Sequence, residues 1–269
     1  MNDFIISVPS APLTAVPALD AGLCDEVLYG TRITILEACK NGFSKVLTEY
    51  RYEGFVQDGS FRQTTEADKP DMRRVVIAPC ADILPEPDIK RRPLLSLFRG
   101  SYVATGESLN DGWSKVALHN GAEGYIREKQ VDVEKTHAKS ADLRQAVIEA
   151  AFSYHGTAYR WGGRTPLGID CSGLAHMAYL LNGVTIYRDS SIDESIAKGF
   201  PVKKISFLAA KPGDLLYFPG HIAIYLGEGQ FIHSSHSNDG VFVNSLNENA
   251  QNFRPDLKQT LICAGTVFG

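Results

Sequence analysis

One cysteine in this 269-residue chain has the sequence context of a nucleophile. Cys171 follows a glycine-rich run and precedes apolar residues at positions i, i+3, i+4 and i+7 from Leu174, a spacing that predicts a helix ending near Gly183. Asp170 is then the expected N-cap, with Cys171 as the first helical residue. The helix dipole and the backbone N–H groups at a helix start favour the thiolate, which is the nucleophilic form of cysteine.

The other four of the five cysteines are interpreted as structural or incidental. They are Cys24, Cys39, Cys80 and Cys263. The chain has no CxxC pair, the cysteine count is odd, and no His/Cys cluster has the spacing of zinc ligands. We therefore expect no disulfide framework, no metal site and no cofactor.

A cysteine nucleophile needs a base within reach, and the base needs a third group to orient it. Among seven histidines, His221 and His233 lie on consecutive predicted strands joined by a hairpin at residues 227–229. Cross-strand pairing would place both imidazoles on one face, which predicts a Cys-His-His arrangement with His221 as base and His233 as its orienting partner. His236, in a polar loop, is expected to be exposed. The remaining histidines are interpreted as imidazoles that are either hydrogen-bonded within the fold or exposed to solvent: His119, His137, His155 and His176.

The first half of the chain repeats itself with an offset of seventy positions. Residues 42–46 match residues 112–116, and residues 53–56 match residues 123–126. Short strands separated by glycine-containing turns predict two copies of a small antiparallel barrel. The aromatic residues of these strands are interpreted as barrel core: Phe43, Phe55, Trp113 and Tyr125. The two copies differ at two aligned positions: Glu26 is aligned with Ser96, and Tyr52 is aligned with Ala122. Glu26 and Tyr52 are therefore candidates for a role beyond the scaffold.

Residues 134–142 are polar and predict a linker, after which residues 143–152 have the apolar periodicity of a helix that ends at Gly156. The expected apolar face of this helix is Leu143, Val147, Ala151 and Phe152. Strands are predicted after the Cys171 helix at residues 214–218, 221–226, 230–234, 241–246 and 260–268. Helices followed by a sheet favour the α+β class.

Composition excludes some partners. The formal net charge is −4 without a basic run, so we expect neither nucleic acid nor an anionic membrane as a partner. No apolar stretch approaches the ~20 residues of a membrane span, and the N-terminus lacks the features of a signal peptide. We expect a monomeric protein of the reducing cytoplasm.

The second half of the chain resembles the NlpC/P60 family of cysteine peptidases, which have a papain-like fold with permuted chain order. The matching segments occur in the family's order: Tyr159–Gly163, Asp170–Gly173, Pro212–Leu215, His221–Gly227 and Phe231–Ser235. The resemblance implies Cys171 as nucleophile, His221 as general base, His233 as its orienting partner and Tyr159 near the thiol. Residues 5–135 resemble bacterial SH3-like domains. We expect two SH3-like domains and a peptidase domain, at residues 1–70, 71–135 and 136–269.

With two SH3-like copies, and with no leader expected, the chain more specifically resembles intracellular γ-D-glutamyl-L-diamino acid endopeptidases, which degrade peptidoglycan stem peptides. This implies hydrolysis of the γ-D-Glu–diamino acid bond in murein-derived peptides with a free N-terminal L-Ala, during peptide recycling. Glu26 and Tyr52 are the implied contacts of the L-Ala amine, although Tyr50 lies on the same predicted face as Tyr52. The other implied substrate-binding residues are Tyr159, Trp161, Asp170, Ser172, Asp189 and Ser190.

Three other functions are compatible with the sequence. One is a secreted hydrolase of the same family that acts on intact peptidoglycan. The second is a noncatalytic SH3-like wall-binding module, and the third is an acyltransferase on a related papain-like fold. The sequence also leaves open whether the diamino acid is meso-diaminopimelate or L-lysine.

Overall fold

The structure is a computed structural model that describes residues 4–68, 73–109, 111–118, 122–135 and 143–268. Contacts divide the chain into two compact units, Met1–Glu134 and Lys135–Gly269. The predicted boundary at residue 70, the histidines at 119 and 137, and positions 136–142 of the predicted linker lie outside the described residues.

The first unit is built from short antiparallel strands in two successive sets. The first set is β1 (Phe4–Ile6), β2 (Ser10–Thr14), β3 (Leu23–Leu28), β4 (Arg32–Ala38), β5 (Phe43–Thr48), β6 (Glu53–Gln57) and β7 (Phe61–Gln63). The second set is β8 (Arg73–Val76), β9 (Cys80–Ile83), β10 (Leu95–Phe98), β11 (Tyr102–Leu109), β12 (Trp113–Ala117), β13 (Glu123–Arg127) and β14 (Val131–Val133). The first set forms one sheet in the order β3-β2-β6-β5-β4-β1-β7. The second forms a sheet in the order β13-β12-β11-β8-β14 and a hairpin of β9 with β10.

The predicted repeat is present in the structure. Strands β4 to β7 begin seventy positions before β11 to β14, and both β4 and β11 carry a break in register against the strand that follows. Each set has an apolar cluster, which includes Val46 and Val56 in the first set and Val116 and Ile126 in the second; Tyr29, which follows β3, also belongs to the second cluster. This all-β organisation is compatible with two SH3-like domains.

The four aromatic residues expected in these cores divide into two pairs. Phe43 and Trp113 are buried, as predicted. The expectation is wrong for Phe55 and Tyr125, which are only partly buried. Each of them immediately precedes the inward-facing aliphatic residue of its strand, and successive side chains of a strand point to opposite faces.

The second unit combines helices with one antiparallel sheet. Its helices are α1 (Leu143–Phe152), α2 (Cys171–Leu180), α3 (Ile192–Ala197) and α4 (Pro255–Thr260). Its strands are β15 (Arg164–Thr165), β16 (Gly168–Ile169), β17 (Lys203–Ile205), β18 (Leu215–Phe218), β19 (His221–Gly227), β20 (Gln230–Ser235), β21 (Gly240–Ser245) and β22 (Cys263–Thr266). The sheet order is β17-β22-β18-β19-β20-β21, and α2 packs against α1, β19 and β20. Three helices precede most of this sheet, which confirms the α+β class.

Two local predictions in this unit are wrong. Phe152 is 42% exposed, so the buried face of α1 consists of Leu143, Val147 and Ala151 alone. The last strand begins at Cys263 and not at residue 260, because Pro255 is fitted to the first turn of a helix and α4 continues to Thr260. None of the helices in the described part of the chain is long and apolar enough to cross a bilayer.

Candidate active site

A tight loop and a side-chain cap place Cys171 at the start of α2. Asp170 is the N-cap, as predicted, and its Oδ1 accepts a hydrogen bond of 2.5 Å from the backbone N–H of Gly173. The preceding loop approaches the helix so closely that a Cβ atom on Gly173 would lie 2.3 Å from the carbonyl oxygen of Gly163. Glycine at this position therefore lets the loop pack directly on the first turn of the helix.

Arg188 holds this loop and the helix start together. Its guanidinium is 1% exposed and donates through Nη1 to Asp170 Oδ1 at 3.2 Å and to Ser172 Oγ at 2.8 Å. Its Nη2 donates to Asp170 Oδ2 at 3.3 Å and to the carbonyl of Gly162 at 3.1 Å. Asp170 and Ser172, predicted as substrate contacts, thus lie in a buried network. Sequence reasoning missed Arg188 because no local pattern links it to the cysteine.

The Cys171 thiol is buried, and this changes its expected ionisation. Burial, followed by the nearby Asp170 carboxylate, raises the pKa of Cys171 to about 11. Hydrogen bonds from the backbone N–H groups of Ile222 and Ser172, and the charge of Arg188, act in the opposite direction. In the resting protein, desolvation of the thiol outweighs the helix terminus, which favours the thiolate. A base must remove the proton during reaction.

The two histidines predicted to face each other do so. Tyr225 pairs with Phe231 across β19 and β20. Alternate side chains of a strand share a face, so His221 lies on the same face as Tyr225, and His233 on the same face as Phe231. The two histidines therefore share one face of the sheet. The Nε2 atom of His221 lies 2.7 Å from Nδ1 of His233, at hydrogen-bond distance. Burial lowers the pKa of His221 to about 3 and that of His233 to about 4. Both imidazoles are therefore neutral near pH 7.

Asn244, on β21, determines which nitrogen of each imidazole carries the proton. Its Oδ1 lies 2.9 Å from His233 Nε2 and accepts a second hydrogen bond from Asn238 Nδ2 at 2.5 Å. Its Nδ2 donates to the carbonyl of Asn252 at 3.1 Å, which fixes the amide orientation. His233 must then donate from Nε2 and accept at Nδ1 from His221 Nε2–H, which leaves Nδ1 as the basic nitrogen of His221. No sequence motif pointed to Asn244.

A cavity of about 310 Å³ opens at these residues. Cys171, His221, His233 and Tyr159 line it, so Tyr159 lies on the same cavity as the thiol, where it was expected. His236 is exposed, as predicted, but it also lines the cavity and packs edge-to-face on the Tyr159 ring with 6.0 Å between centroids. This contact of His236 was missed by sequence reasoning.

Three predicted substrate residues of the second unit lie elsewhere. Trp161 is 70% exposed and is not among the residues that line the cavity. Asp189 and Ser190 are partly buried just before α3, where Asp189 is hydrogen-bonded to the hydroxyl of Tyr187. The roles expected for these three residues stay predictions.

The two candidates of the first unit have different environments. Glu26 is 8% exposed on β3 and pairs in register with Pro12 of β2. Tyr50, the alternative to Tyr52, is 3% exposed and its hydroxyl donates to Asp25 Oδ2 at 2.5 Å. Tyr52 is partly buried against the core of the first copy. The roles expected for Glu26 and Tyr52 stay predictions.

No group of three or more His, Cys, Asp or Glu side chains is arranged to hold a metal ion within the described ranges of the chain. The chemistry that the cavity offers is that of a thiol beside a neutral imidazole whose other nitrogen is held by a second imidazole. This is the arrangement of a cysteine hydrolase.

Comparisons with known proteins agree with this class. Residues 156–255 match the NlpC/P60 family. The whole chain is similar to the whole of dipeptidyl-peptidase 6 from Lysinibacillus sphaericus, with 42% identity over 277 aligned residues. A gamma-D-glutamyl-L-lysine dipeptidyl-peptidase from Bacillus cereus is 26% identical over 82% of this chain and 70% of its own. A crystal structure of an NlpC/P60 family protein from Bacillus cereus superposes with a TM-score of 0.79 over 97% of this chain and 98% of the other, at 22% identity.

The family match and the relatives named as peptidases, one of them similar over its full length, together define a cysteine peptidase. The chain belongs to the NlpC/P60 family.

We expect the substitution Asn244→Leu to lower kcat about 100-fold while KM stays within about twofold. Leucine has no acceptor for His233 Nε2–H, so the imidazole is no longer held in the tautomer that orients His221. Steady-state peptidase kinetics measure the effect. Asn252→Ala is the matched control, because the carbonyl that Asn244 uses belongs to the backbone and is retained. Equal kcat in Asn244→Leu and Asn252→Ala would contradict the tautomer assignment.

Proposed function

We propose that the protein hydrolyses the γ-D-Glu–diamino acid bond of peptidoglycan stem peptides that have a free N-terminal L-Ala, releasing L-Ala-γ-D-Glu. The observation that carries the proposal is the full-length similarity to dipeptidyl-peptidase 6, which extends over both units. The name of a second relative, gamma-D-glutamyl-L-lysine dipeptidyl-peptidase, describes cleavage at the same kind of bond. The cavity with its thiol and paired imidazoles supports the same reaction class.

In the proposed mechanism, Cys171 is the nucleophile and His221 the general base. His221 Nδ1 takes the thiol proton as Sγ attacks the γ-carbonyl carbon of D-Glu, and backbone N–H groups at the start of α2 stabilise the oxyanion. The tetrahedral intermediate collapses when His221 returns the proton to the leaving amine, so that the C–N bond breaks and a thioester remains. His221 then takes a proton from water as the hydroxide adds to the thioester carbon. The C–S bond breaks, and His221 returns the proton to the sulfur, so that Cys171 leaves as the thiol and L-Ala-γ-D-Glu is released.

His233 and Asn244 orient the base throughout this cycle. The hydrogen bond from His221 Nε2 to His233 keeps His221 Nδ1 available for the thiol, and it also stabilises the imidazolium formed in each transition state. Burial opposes that charge, so the imidazolium exists only while the oxyanion or thiolate accompanies it.

We further propose that Glu26 and Tyr52 contact the L-Ala amine of the substrate. A carboxylate that is 8% exposed gains a charge-assisted hydrogen bond from an ammonium group and none from an acetylated amine. Such selection favours short free-ended peptides over intact wall, which fits a role in murein peptide recycling in the cytoplasm. None of the five cysteines, all of which are described, forms a disulfide, and this supports a reducing compartment.

The test compares L-Ala-γ-D-Glu-L-Lys, the corresponding meso-diaminopimelate peptide, and the N-acetylated form of each. We expect cleavage of the free peptides and at least ~100-fold lower kcat/KM for the acetylated forms, with release of L-Ala-γ-D-Glu detected by mass spectrometry. Glu26→Gln should reduce this discrimination, whereas Glu37→Gln, which changes an exposed carboxylate of the same copy, should preserve it.

Three outcomes would speak against the proposal. Equal cleavage of free and acetylated peptides would contradict the contact with Glu26. Cleavage of none of the four peptides, with activity on intact sacculi, would favour a wall hydrolase. Transfer of the acyl group to an added amine in preference to water would favour an acyltransferase.

A further inference from the structure

The cavity beside the catalytic candidates has a single permanent charge in its lining. Of the described residues that line it, Arg254 carries a guanidinium, and none is an aspartate or glutamate. The Arg254 side chain is 19% exposed, so its charge is only partly screened by solvent. A cation of this kind attracts an anionic part of whatever occupies the cavity.

The guanidinium is held in place on one edge and open on the other. Nε and Nη2 donate to the two carboxylate oxygens of Asp256 at 2.9 and 2.7 Å, a bidentate pair that fixes the plane of the group. Nη1 makes a long contact, 3.5 Å, to Asn238 Oδ1. The backbone N–H of Arg254 donates to the carbonyl of Ser245 at 2.8 Å, which anchors the residue on β21. Nη1 can therefore bind a ligand without breaking the pair with Asp256.

Arg254 lies on the imidazole side of the cavity. Its charge contributes to lowering the pKa of both His221 and His233, whereas the groups that act on Cys171 are Asp170, Arg188 and backbone N–H groups. Asn238, which Nη1 approaches, also donates to Asn244 behind His233. Asp256 opposes the effect of Arg254 on both imidazoles.

The chemistry of the step tells which half of the substrate lies on this side. His221 gives its proton to the leaving amine, so the leaving residue must stand next to His221 when the C–N bond breaks. The acyl half remains attached to Cys171. A group on the imidazole side of the cavity therefore faces the leaving diamino acid and not the γ-D-Glu residue.

We propose that Arg254 forms a subsite for a carboxylate of the leaving diamino acid; this rests on the function proposed above. Two carboxylates have this chemistry: the α-carboxylate of a peptide that ends at the diamino acid, and the distal carboxylate of meso-diaminopimelate. The ammonium of an L-lysine side chain would be repelled at the same place. The subsite thus makes Arg254 a specificity-determining residue for the leaving side.

Three substrates distinguish the two carboxylates: L-Ala-γ-D-Glu followed by L-Lys, by L-lysinamide, or by meso-diaminopimelate. If Arg254 binds the α-carboxylate, the wild-type protein prefers L-Lys over L-lysinamide by about 10- to 100-fold in kcat/KM. If it binds the distal carboxylate, the protein prefers meso-diaminopimelate over L-Lys by a similar factor. In Arg254→Gln the corresponding preference falls to within about threefold, and Arg254→Lys keeps part of it.

Ratios between substrates separate binding from any effect on the histidines. Removal of the Arg254 charge changes the basicity of His221 for every substrate alike, so this effect cancels in the ratio. Lys258→Gln is the matched control, since Lys258 is a cation of the same helical segment that pairs with Glu248 at 2.7 Å and does not line the cavity. It should leave every ratio unchanged.

The outcomes that overturn the subsite differ from those that overturn the proposed function. The subsite is contradicted if the wild-type protein cleaves these peptides without either preference. It is also contradicted if Arg254→Gln lowers kcat/KM by the same factor for all three substrates. Neither result contradicts the proposed function. A wild-type protein that cleaves none of the three removes the function, and the subsite with it.

Discussion

Replacing Cys171 with alanine is expected to lower kcat/KM for stem-peptide hydrolysis by at least about 10⁴-fold, with little change in stability. Cys171 supplies the only thiol among the described residues that line the cavity, and the proposed reaction proceeds through a thioester on its sulfur. Alanine removes one atom from a site that is 8% exposed, so the packing of α2 against the sheet is retained. Steady-state kinetics and denaturant unfolding of the full chain measure the two properties.

A second buried cysteine provides a matched control. Cys263, on β22, is also 8% exposed, and burial raises the pKa of its thiol as well. Cys263 does not line the cavity, so Cys263→Ala should retain wild-type kcat/KM. Wild-type activity in Cys171→Ala, or equal losses in the two variants, would contradict the assigned nucleophile.

Replacing Arg188 with methionine is expected to lower the free energy of unfolding by about 3–5 kcal/mol. The guanidinium is 1% exposed and meets both carboxylate oxygens of Asp170 as well as Ser172 and the carbonyl of Gly162. Methionine leaves the buried Asp170 carboxylate without its counter-charge. Denaturant unfolding of the full chain measures the loss, and kcat should fall as well because the N-cap of α2 is no longer held.

The double variant Arg188→Met, Asp170→Asn tests the cause of this loss. Asparagine keeps an acceptor for the Gly173 N–H but carries no charge, so the double variant should be more stable than Arg188→Met alone. Lys204→Met removes the exposed pair with Asp193 in the same unit and should leave the unfolding midpoint nearly unchanged. A loss of less than about 1 kcal/mol in the free energy of unfolding of Arg188→Met would contradict the role of Arg188 in holding the loop and the start of α2 together.

Local sequence patterns predicted the elements that carry the candidate site. The N-cap at Asp170, the helix that follows it and the facing alternation of His221 and His233 depend on residues close together in the chain, and the structure confirms all three. Asn244 and Arg188 could not be found in this way. Each reaches the site through the register of a sheet or the path of a loop, which local periodicity does not encode.

The extent to which each side chain is buried was the other property that local sequence patterns did not predict. The helix start at Cys171 favours a thiolate, but the pKa of the thiol also depends on how much of the domain covers it. The same limit affected Phe55 and Tyr125, whose side chains lie on the less buried face of their strands. Alternation predicted which residues share a face but not which face lies inward.

The neutral resting state of the thiol and both imidazoles has a consequence for the lifetime of the protein. Burial raises the pKa of the Cys171 thiol, so little of it is ionised near pH 7, and peroxides and alkylating agents react with the ionised form. The same burial that makes a general base necessary therefore also makes the sulfur less reactive toward oxidants between turnovers. The Cys171 thiol becomes reactive when His221 takes its proton during turnover, and it is less reactive toward oxidants while no peptide is bound.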